Sequence, residues 1–211
     1  MNALVDLFGD VPAPAKPCLP SSEMVEEFRS IRPCGGFDLI MADPPWKTEM
    51  RSEAGLKKSP EAHYPTMPVE EIATMPVELL AAPDCLLWLW TRGAQLENGI
   101  RVLKAWGFDL KTMGWWAKMT NRGNQAFGTG YILRNAGEPY LIGTRGAPKT
   151  TNVVRETILD LRRENSRKPE KAYREAVRLM PDARRLDLFS RQRREGWTVW
   201  GNEVDKFGGD P

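Results

Sequence analysis

Apolar residues along the chain gather in short runs, and most of these runs are too short to form helices. A run of four to eight apolar residues bounded by turn signals is typical of a buried strand. Six strands are predicted on this basis, at residues 37–42, 86–90, 108–117, 139–143, 185–189 and 197–200. Because both faces of these strands are apolar, helices have to cover the sheet on both sides.

Helical patterns fill most of the intervals between these strands. Helices are predicted at residues 22–31, 94–106 and 169–180; residues 68–82 are helical in character with an interruption at Pro76, and residues 152–163 are weakly amphipathic. Alternating strands and helices predict an α/β domain with a parallel or mixed sheet, whose ligands bind at the carboxyl ends of the strands. That edge would bring together Asp43, Thr91, residues 189–191 and residues 201–203.

One domain, at residues 21–207, accounts for this pattern. Residues 1–20 contain four prolines and little periodicity, which predicts a flexible N-terminal arm. Two long polar segments, at about 47–65 and 118–137, are predicted to be functional loops. No apolar run approaches the roughly 18 residues of a membrane span, and three widely spaced cysteines fit a reducing cytoplasm. We therefore expect a cytoplasmic protein that does not bind membranes.

The distribution of charge adds a candidate partner. Residues 145–194 carry 15 Lys and Arg against 7 Asp and Glu, although the net charge of the whole chain is only +2. This segment is either a solvated helix face or a surface for a polyanion such as nucleic acid. The chain has one histidine, His63, and no spacing typical of zinc ligands, so no metal is expected.

The segment with the most specific chemistry is Asp43-Pro44-Pro45-Trp46, at the end of the first predicted strand. A magnesium-binding aspartate of a nucleotide hydrolase is one interpretation, but the chain lacks the G-x-x-x-x-G-K-[ST] loop that this class requires. A second interpretation is a turn without a chemical role, because Asp and Pro often build turns. The third is chemistry on the exocyclic amine of adenine.

That amine is a poor nucleophile because its lone pair is delocalised into the ring. Accepting hydrogen bonds from its two hydrogens localises the lone pair, and the Asp43 carboxylate and the Pro44 carbonyl are suited to this. Pro44 and Pro45 have a fixed φ and carry no amide N–H. Acceptors oriented in advance also stabilise the positive charge that grows on nitrogen during methylation, and Trp46 would offer a flat face to the base.

These residues resemble the catalytic tetrad of the adenine-N6 methyltransferases related to the catalytic subunit of the eukaryotic mRNA adenosine methyltransferase. Further segments resemble that family in the same order, over about residues 37–204. They are His63-Tyr64-Pro65-Thr66-Met67; Leu86, Trp88 and Trp90; Thr129-Gly130-Tyr131 with Gly137-Glu138 and Leu141-Ile142-Gly143; Ser166-Arg167-Lys168-Pro169; Leu186-Asp187-Leu188-Phe189-Ser190-Arg191; and Trp197 with Gly201-Asn202-Glu203. Glu203 stands where the family has glutamine.

The resemblance implies a single Rossmann-like α/β domain with circularly permuted motif order, and S-adenosylmethionine as methyl donor without a metal. It implies catalytic roles for Asp43, Pro44, Pro45 and Trp46. Donor-binding roles fall on Asp43, Lys168, Asp187, Phe189, Arg191, Asn202 and Glu203. Substrate contacts are expected from Trp46, Tyr64, Arg122 and Arg134.

The expected reaction is N6-methylation of adenine in nucleic acid. We expect DNA rather than RNA, and relaxed specificity for a short sequence context, because no separate target-recognition domain is predicted. Two alternatives remain open: an RNA adenosine methyltransferase, and a non-catalytic scaffold of the same fold that binds nucleic acid. For target recognition, the alternative to the two predicted loops is a partner chain, or a homodimer whose two copies share one groove.

Overall fold

A computed structural model describes residues 20–47, 65–130, 132–164 and 167–208. The described helices are α1 (Ser22–Ile31), α2 (Val69–Thr74), α3 (Leu96–Ala105) and α4 (Glu170–Leu179). The strands are β1 (Phe37–Ala42), β2 (Ala81–Trp90), β3 (Asp109–Met119), β4 (Gly137–Arg145), β5 (Thr157–Leu161), β6 (Arg185–Leu188) and β7 (Trp197–Trp200). The predicted arm lies outside these ranges except for its last residue, and so does nearly all of the loop at 47–65.

The seven strands form one mixed sheet in the order β5-β3-β4-β2-β1-β6-β7. Strand β4 runs antiparallel to β2 and β3, and all other neighbours are parallel. The carboxyl ends of six strands therefore meet at one edge together with the amino end of β4. Asp43, Thr91, Phe189 and Gly201 directly follow four of these strands, which places them at the edge that the sequence predicts.

Two cores cover the two faces of the sheet, as the α/β prediction requires. Along β1, Ile40 and Ala42 pack with α1, α2 and α3, whereas Leu39 and Met41 pack with α4. This alternation follows from the strand geometry, in which successive side chains point to opposite faces. No helix in the described ranges is long and apolar enough to cross a bilayer.

Two sequence predictions need correction. The region at 68–82, predicted to be helical, consists of α2, a 3-10 turn at Val77–Leu79 and the first residues of β2. The helix ends before Pro76 because the helical conformation is unfavourable for a residue that precedes proline. The weakly amphipathic segment at 152–163 contains a seventh strand, β5. Its period of two was hidden because the outward-facing Leu159 and Leu161 are apolar as well.

Candidate active site

The segment from Asp43 to Trp46 begins where β1 ends, and backbone hydrogen bonds fix its shape. The Trp46 amide donates to the Pro44 carbonyl at 2.8 Å, and the Met67 amide donates to the Pro45 carbonyl at 2.8 Å. A carbonyl oxygen has two lone pairs, so the bond from Trp46 leaves Pro44 one further acceptor position, although the residue itself is buried. The Asp43 carboxylate and the Pro44 carbonyl are thus two acceptors on one constrained stretch of chain.

Trp46 does not have the exposed face that stacking on a base requires. Its side chain is only 4% exposed and packs in the core between the sheet and helices α1–α3. The indole Nε1 donates to the Trp90 carbonyl at 3.1 Å. A buried tryptophan normally satisfies its N–H in this way. In this structure its contacts anchor the segment to β2, and the predicted stacking on a base would require the side chain to become uncovered.

Four side chains of alternating charge, which we call the Asp43 cluster, extend from Asp43 to β3. Lys168 Nζ lies 2.6 Å from Asp43 Oδ2 and 3.2 Å from Glu138 Oε2. Lys118 Nζ lies 2.5 Å from Glu138 Oε1. Lys168 is 6% exposed, whereas Asp43 and Glu138 keep 20% and 19% of their side chains exposed. A ligand can therefore reach the carboxylates more easily than the ammonium group between them.

The two carboxylates of this cluster differ in their electrostatics. Burial raises the pKa of Glu138, but the charges of Lys168 and Lys118 outweigh burial and lower it to about 2. Asp43 has one lysine partner, and burial together with the charge of Glu138 keeps its pKa above the ordinary value. Burial opposes the charge on Lys168, yet the two carboxylates raise its pKa, so it stays protonated.

A second group of buried side chains, the Asp187 cluster, lies at the end of β6. Asp187 Oδ2 accepts hydrogen bonds from the Tyr173 hydroxyl at 3.1 Å, the Ser190 hydroxyl at 2.7 Å and the Arg194 guanidinium at 3.1 Å. Arg194 also pairs with Glu170 at 3.1 Å. Burial raises the pKa of Asp187 to about 6, although Arg194 and both hydroxyls lower it. Three donors of its own chain thus share one oxygen of this carboxylate.

The turn after β6 is strained and closely packed. Phe189 has a φ of 66°, in the left-handed region that bulky residues rarely adopt. A Cβ on Gly201, directly after β7, would lie 2.6 Å from the Ser190 carbonyl oxygen, so glycine is required there. Backbone strain of this kind concentrates at functional sites.

Three of the residues predicted to bind the donor follow these strand ends. Arg191 Nε lies 2.8 Å from Glu203 Oε2, and Lys206 Nζ lies 2.6 Å from Glu203 Oε1. The hydrogen bond from Lys206 and the charge of Arg191 lower the pKa of Glu203. Asn202, beside Glu203, is exposed. The structure thus brings these residues together at the predicted edge of the sheet.

One narrow cleft connects the two clusters. Five of the seven residues predicted to bind the donor line it: Asp43, Lys168, Asp187, Phe189 and Arg191. Its enclosed part has a volume of about 20 Å³, which is room for about one water molecule. The buried Nε2 of Gln192 and Nε of Arg167, both in the cleft wall, have no hydrogen-bond partner among the described residues.

The predicted substrate contacts are not all part of this cleft. Tyr64 lies outside the described residues, while Arg122 and Arg134 are exposed on the loop between β3 and β4. The Arg134 guanidinium lies 5.1 Å from the ring centroid of Phe127. The described part of the chain contains no cluster of three or more His, Cys, Asp or Glu side chains that could hold a metal ion.

Several residues of the two clusters were not predicted from the sequence. Glu138 was part of a matched motif but received no role, and its partner Lys118 received none either. Both flank one polar loop, at the end of one predicted strand and just before the next, so cross-strand pairing of opposite charges could have indicated them. Tyr173 and Arg194 gave no such signal, because their contacts with Asp187 depend on how α4 and the β6–β7 connection pack.

The order of the motifs and this geometry agree with the comparison against known families, since the MT-A70 family profile matches residues 37–203. The chain belongs to the MT-A70 family. It is 34% identical over 177 residues to an N(6)-adenosine-methyltransferase MT-A70-like protein of Arabidopsis thaliana, and 30% identical over 187 residues to the type II methyltransferase M.MunI of Mycoplasma sp. It is also 30% identical over 178 residues to the human N(6)-adenosine-methyltransferase catalytic subunit METTL3.

Coverage differs greatly among these MT-A70 relatives. Each match involves about four-fifths of this chain, at 81%, 80% and 81% respectively. The match covers 24% of the Arabidopsis protein and 29% of the human one, but 78% of M.MunI. The fold and the family are therefore shared with all three, while only M.MunI among them is matched along most of its length.

Proposed function

We propose that this MT-A70 chain is an S-adenosylmethionine-dependent N6-adenine methyltransferase that acts on DNA with relaxed, short-context specificity. The observation that carries the proposal is the pair of acceptors at the end of β1. The partly exposed Asp43 carboxylate lies 2.6 Å from the buried ammonium group of Lys168, and the constrained Pro44 carbonyl directly follows it in the chain. Two fixed acceptors match the two hydrogens of the adenine amine.

The residues around the cleft fit the proposed methyl donor. Asp43 is suited to bind its ammonium group, and Lys168 can bind its carboxylate if Lys168 gives up its contact with Asp43 or with Glu138. Asn202 and Glu203 are suited to hydrogen-bond the ribose hydroxyls or the adenine edge. Burying a donor without a partner costs about 1–3 kcal/mol, so the unpartnered Nε2 of Gln192 favours a ligand at this place. When bound, S-adenosylmethionine supplies the methyl group.

In this proposal Asp43 and Pro44 act on the adenine amine. They accept its two N–H hydrogen bonds, orient the nitrogen lone pair and stabilise the positive charge that develops on nitrogen. Preoriented acceptors need no rearrangement at the moment of reaction, which is why such contacts contribute strongly in a site with little water. The proton that the methylated amine releases is acidic enough for solvent to accept it. Lys168 holds the Asp43 carboxylate in position.

The choice of DNA rests on two supports. M.MunI, a type II methyltransferase, is matched over 78% of its length, whereas the eukaryotic N(6)-adenosine methyltransferases are matched over less than a third. In addition, the loop between β3 and β4, which exposes Arg122 and Arg134, lies at the same edge of the sheet as the cleft and can contact the target there. Loops of this size can reach only the bases that flank the adenine, and phosphate contacts add affinity without sequence information.

A single assay tests the proposal. The full chain is incubated with S-adenosylmethionine and, in parallel, with genomic DNA that lacks N6-methyladenine and with total RNA. Nucleosides are then analysed by mass spectrometry. We expect N6-methyldeoxyadenosine from DNA, and its loss in Asp43→Asn. Methylated adenosine from RNA alone would assign the RNA alternative. Binding of nucleic acid without transfer to either polymer would assign the scaffold.

A further inference from the structure

The loop between β3 and β4, residues 120–136, lies at the same edge of the sheet as the cleft. Strand β3 ends and strand β4 begins at this edge, because the two strands are antiparallel neighbours. Lys118 and Glu138, two members of the Asp43 cluster, flank the loop on either side. The loop is therefore joined at both ends to the proposed active site.

This loop carries the most exposed large apolar side chains that the structure describes. Phe127 is 62% exposed, Ile132 85% and Leu133 82%; Val153 and Leu159 come next at 56%. Single exposed apolar residues are normal, but several close together indicate an interaction site. Three such residues on one loop beside the cleft therefore call for a partner.

The loop is also held in a defined shape. The Gly128 amide donates to the Asn135 carbonyl at 2.7 Å, and the Asn135 amide donates to the Thr129 carbonyl at 3.3 Å. The Gly130 backbone lies so close to the Leu133 carbonyl oxygen that a Cβ at Gly130 would collide with it. Ile132 and Leu133 are thus presented at the tip of a braced loop.

Charge identifies the kind of partner. Residues 120–136 contain two arginines, Arg122 and Arg134, and no acidic residue. Both arginines are exposed, and Arg134 lies beside the Phe127 ring. Arginines that flank apolar side chains suit a polyanion with an apolar interior. Double-stranded DNA has this construction, with phosphates outside and stacked bases inside.

Resting on the proposed function, we propose that the β3–β4 loop is a wedge for duplex DNA. Ile132 and Leu133 enter the base stack beside the target adenine, while Arg122 and Arg134 bind flanking phosphates. A base inside a duplex has to leave the stack before an enzyme can modify it, and apolar side chains inserted at a base step open the stack. The adenine then leaves the stack towards Asp43.

The test compares methyl transfer to native and to heat-denatured genomic DNA by the full chain. The double variant Ile132→Ser and Leu133→Ser should lower the native-to-denatured rate ratio at least tenfold, because only duplex DNA has to be opened. The matched control is Val153→Ser, which removes an exposed apolar side chain between β4 and β5, at the opposite edge of the sheet, and should leave the ratio as it is. An unchanged ratio in the double variant overturns the wedge.

Two further outcomes distinguish the wedge from a failed methyltransferase assignment and from a dimer contact. A wild-type chain that methylates neither form of DNA contradicts the proposed function itself, whatever the loop does. Light scattering on the wild type and the double variant tests another occupant of the loop. A change in molecular mass would show that Ile132 and Leu133 contact a second copy of the chain, and that result also overturns the wedge; equal masses support it.

Discussion

The Asp43 cluster and the Asp187 cluster use the same kinds of side chain at the same edge of the sheet, but they differ in access. Asp43 and Glu138 keep about a fifth of their side chains exposed, at 20% and 19%. Asp187 keeps 4%, and Arg194 keeps 8%. An accessible carboxylate can accept hydrogen bonds from a ligand. A buried carboxylate oxygen that already accepts hydrogen bonds from its own chain has to give some of them up before it can do so.

This difference assigns different work to the two clusters. In the Asp43 cluster, lysines hold accessible carboxylates in place for binding and chemistry. In the Asp187 cluster, one carboxylate holds Ser190 and Arg194, and so braces the strained turn at Phe189 that forms the other wall of the cleft. Asp187 therefore positions this wall, and its predicted contact with the donor would fall to Oδ1, since the three hydrogen bonds from its own chain all end on Oδ2.

The largest expected effect is on stability, in the Asp187 cluster. Arg194→Leu leaves the buried Asp187 and the partly buried Glu170 without their shared partner, and breaking a buried ion pair costs about 3–5 kcal/mol. For a domain of this size, 1 kcal/mol corresponds to about 2–4 °C in melting temperature. We expect the melting temperature, measured by calorimetry, to fall by at least about 6 °C on this scale.

The neighbouring residue provides the control for this variant. Arg193 pairs with Asp205 through side chains that are 62% and 71% exposed, and exposed pairs contribute about 0–1 kcal/mol. Arg193→Leu should therefore change the melting temperature by only a few degrees on the same scale. Equal losses in the two variants would mean that the Asp187 cluster does not brace the turn.

The next effect is on activity, in the Asp43 cluster. Asp43→Asn keeps the shape of the side chain but replaces a charged acceptor by a weaker one. By analogy with the loss of one oxyanion-hole contact, kcat should fall by about 10²–10³, or roughly 2.7–4 kcal/mol. The control is Asp109→Asn, at the opposite edge, whose side chain is 85% exposed. An Asp43→Asn enzyme that keeps more than about a tenth of wild-type kcat would contradict the assigned role.

The sequence predicted the elements that carry strong local signals. The buried runs of β1, β6 and β7, and the helices α1 and α4, were located within one or two residues of their observed ends. The edge strand β5 was missed because its outer face is apolar. The position of Asp43 at the strand ends followed from the same patterns, since the rule on parallel sheets links strand order to ligand position.

The burial of Trp46 and the contacts of Asp187 were beyond the reach of local patterns. Trp46 has the composition of a stacking surface, yet the carbonyl that accepts its N–H belongs to Trp90, which is 44 positions away. Arg194 reaches both Asp187 and Glu170 only because α4 packs against the end of β6. Motif matches named these residues or their neighbours, but side-chain direction depends on the packed structure.

The two clusters should also respond differently to pH. The pKa of Asp187 is raised to about 6 from an ordinary 3.8, so the folded state binds this proton more tightly than the unfolded state. The resulting stability is complete below about pH 4 and is lost as the pH rises through about 6. The loss is on the order of 3 kcal/mol, since one pKa unit corresponds to about 1.4 kcal/mol.

Asp187→Asn should remove this dependence of the unfolding free energy on pH. Urea unfolding between about pH 4 and 7.5 measures it, as the difference in unfolding free energy between the wild type and the variant. Asp205→Asn, at an exposed position, should leave this dependence as it is. Wild-type and Asp187→Asn stability curves that run parallel across this range would show that Asp187 does not titrate there.

The smallest expected effect is a shift of the activity profile, and it tests the coupling within the Asp43 cluster. Asp43 has to be ionised to accept from the amine, and burial and the charge of Glu138 raise its pKa. The pH profile of kcat/KM reports the pKa values of the free enzyme. The midpoint of its acid limb should therefore lie above the ordinary pKa range of an aspartate. Glu138→Gln removes the neighbouring negative charge, lowers the pKa of Asp43 and moves the limb to lower pH.

Glu97→Gln, at an exposed position in the first turn of α3, is the control. A limb that stays in place or moves to higher pH would mean that Glu138 acts on Lys168 alone and leaves Asp43 electrostatically independent.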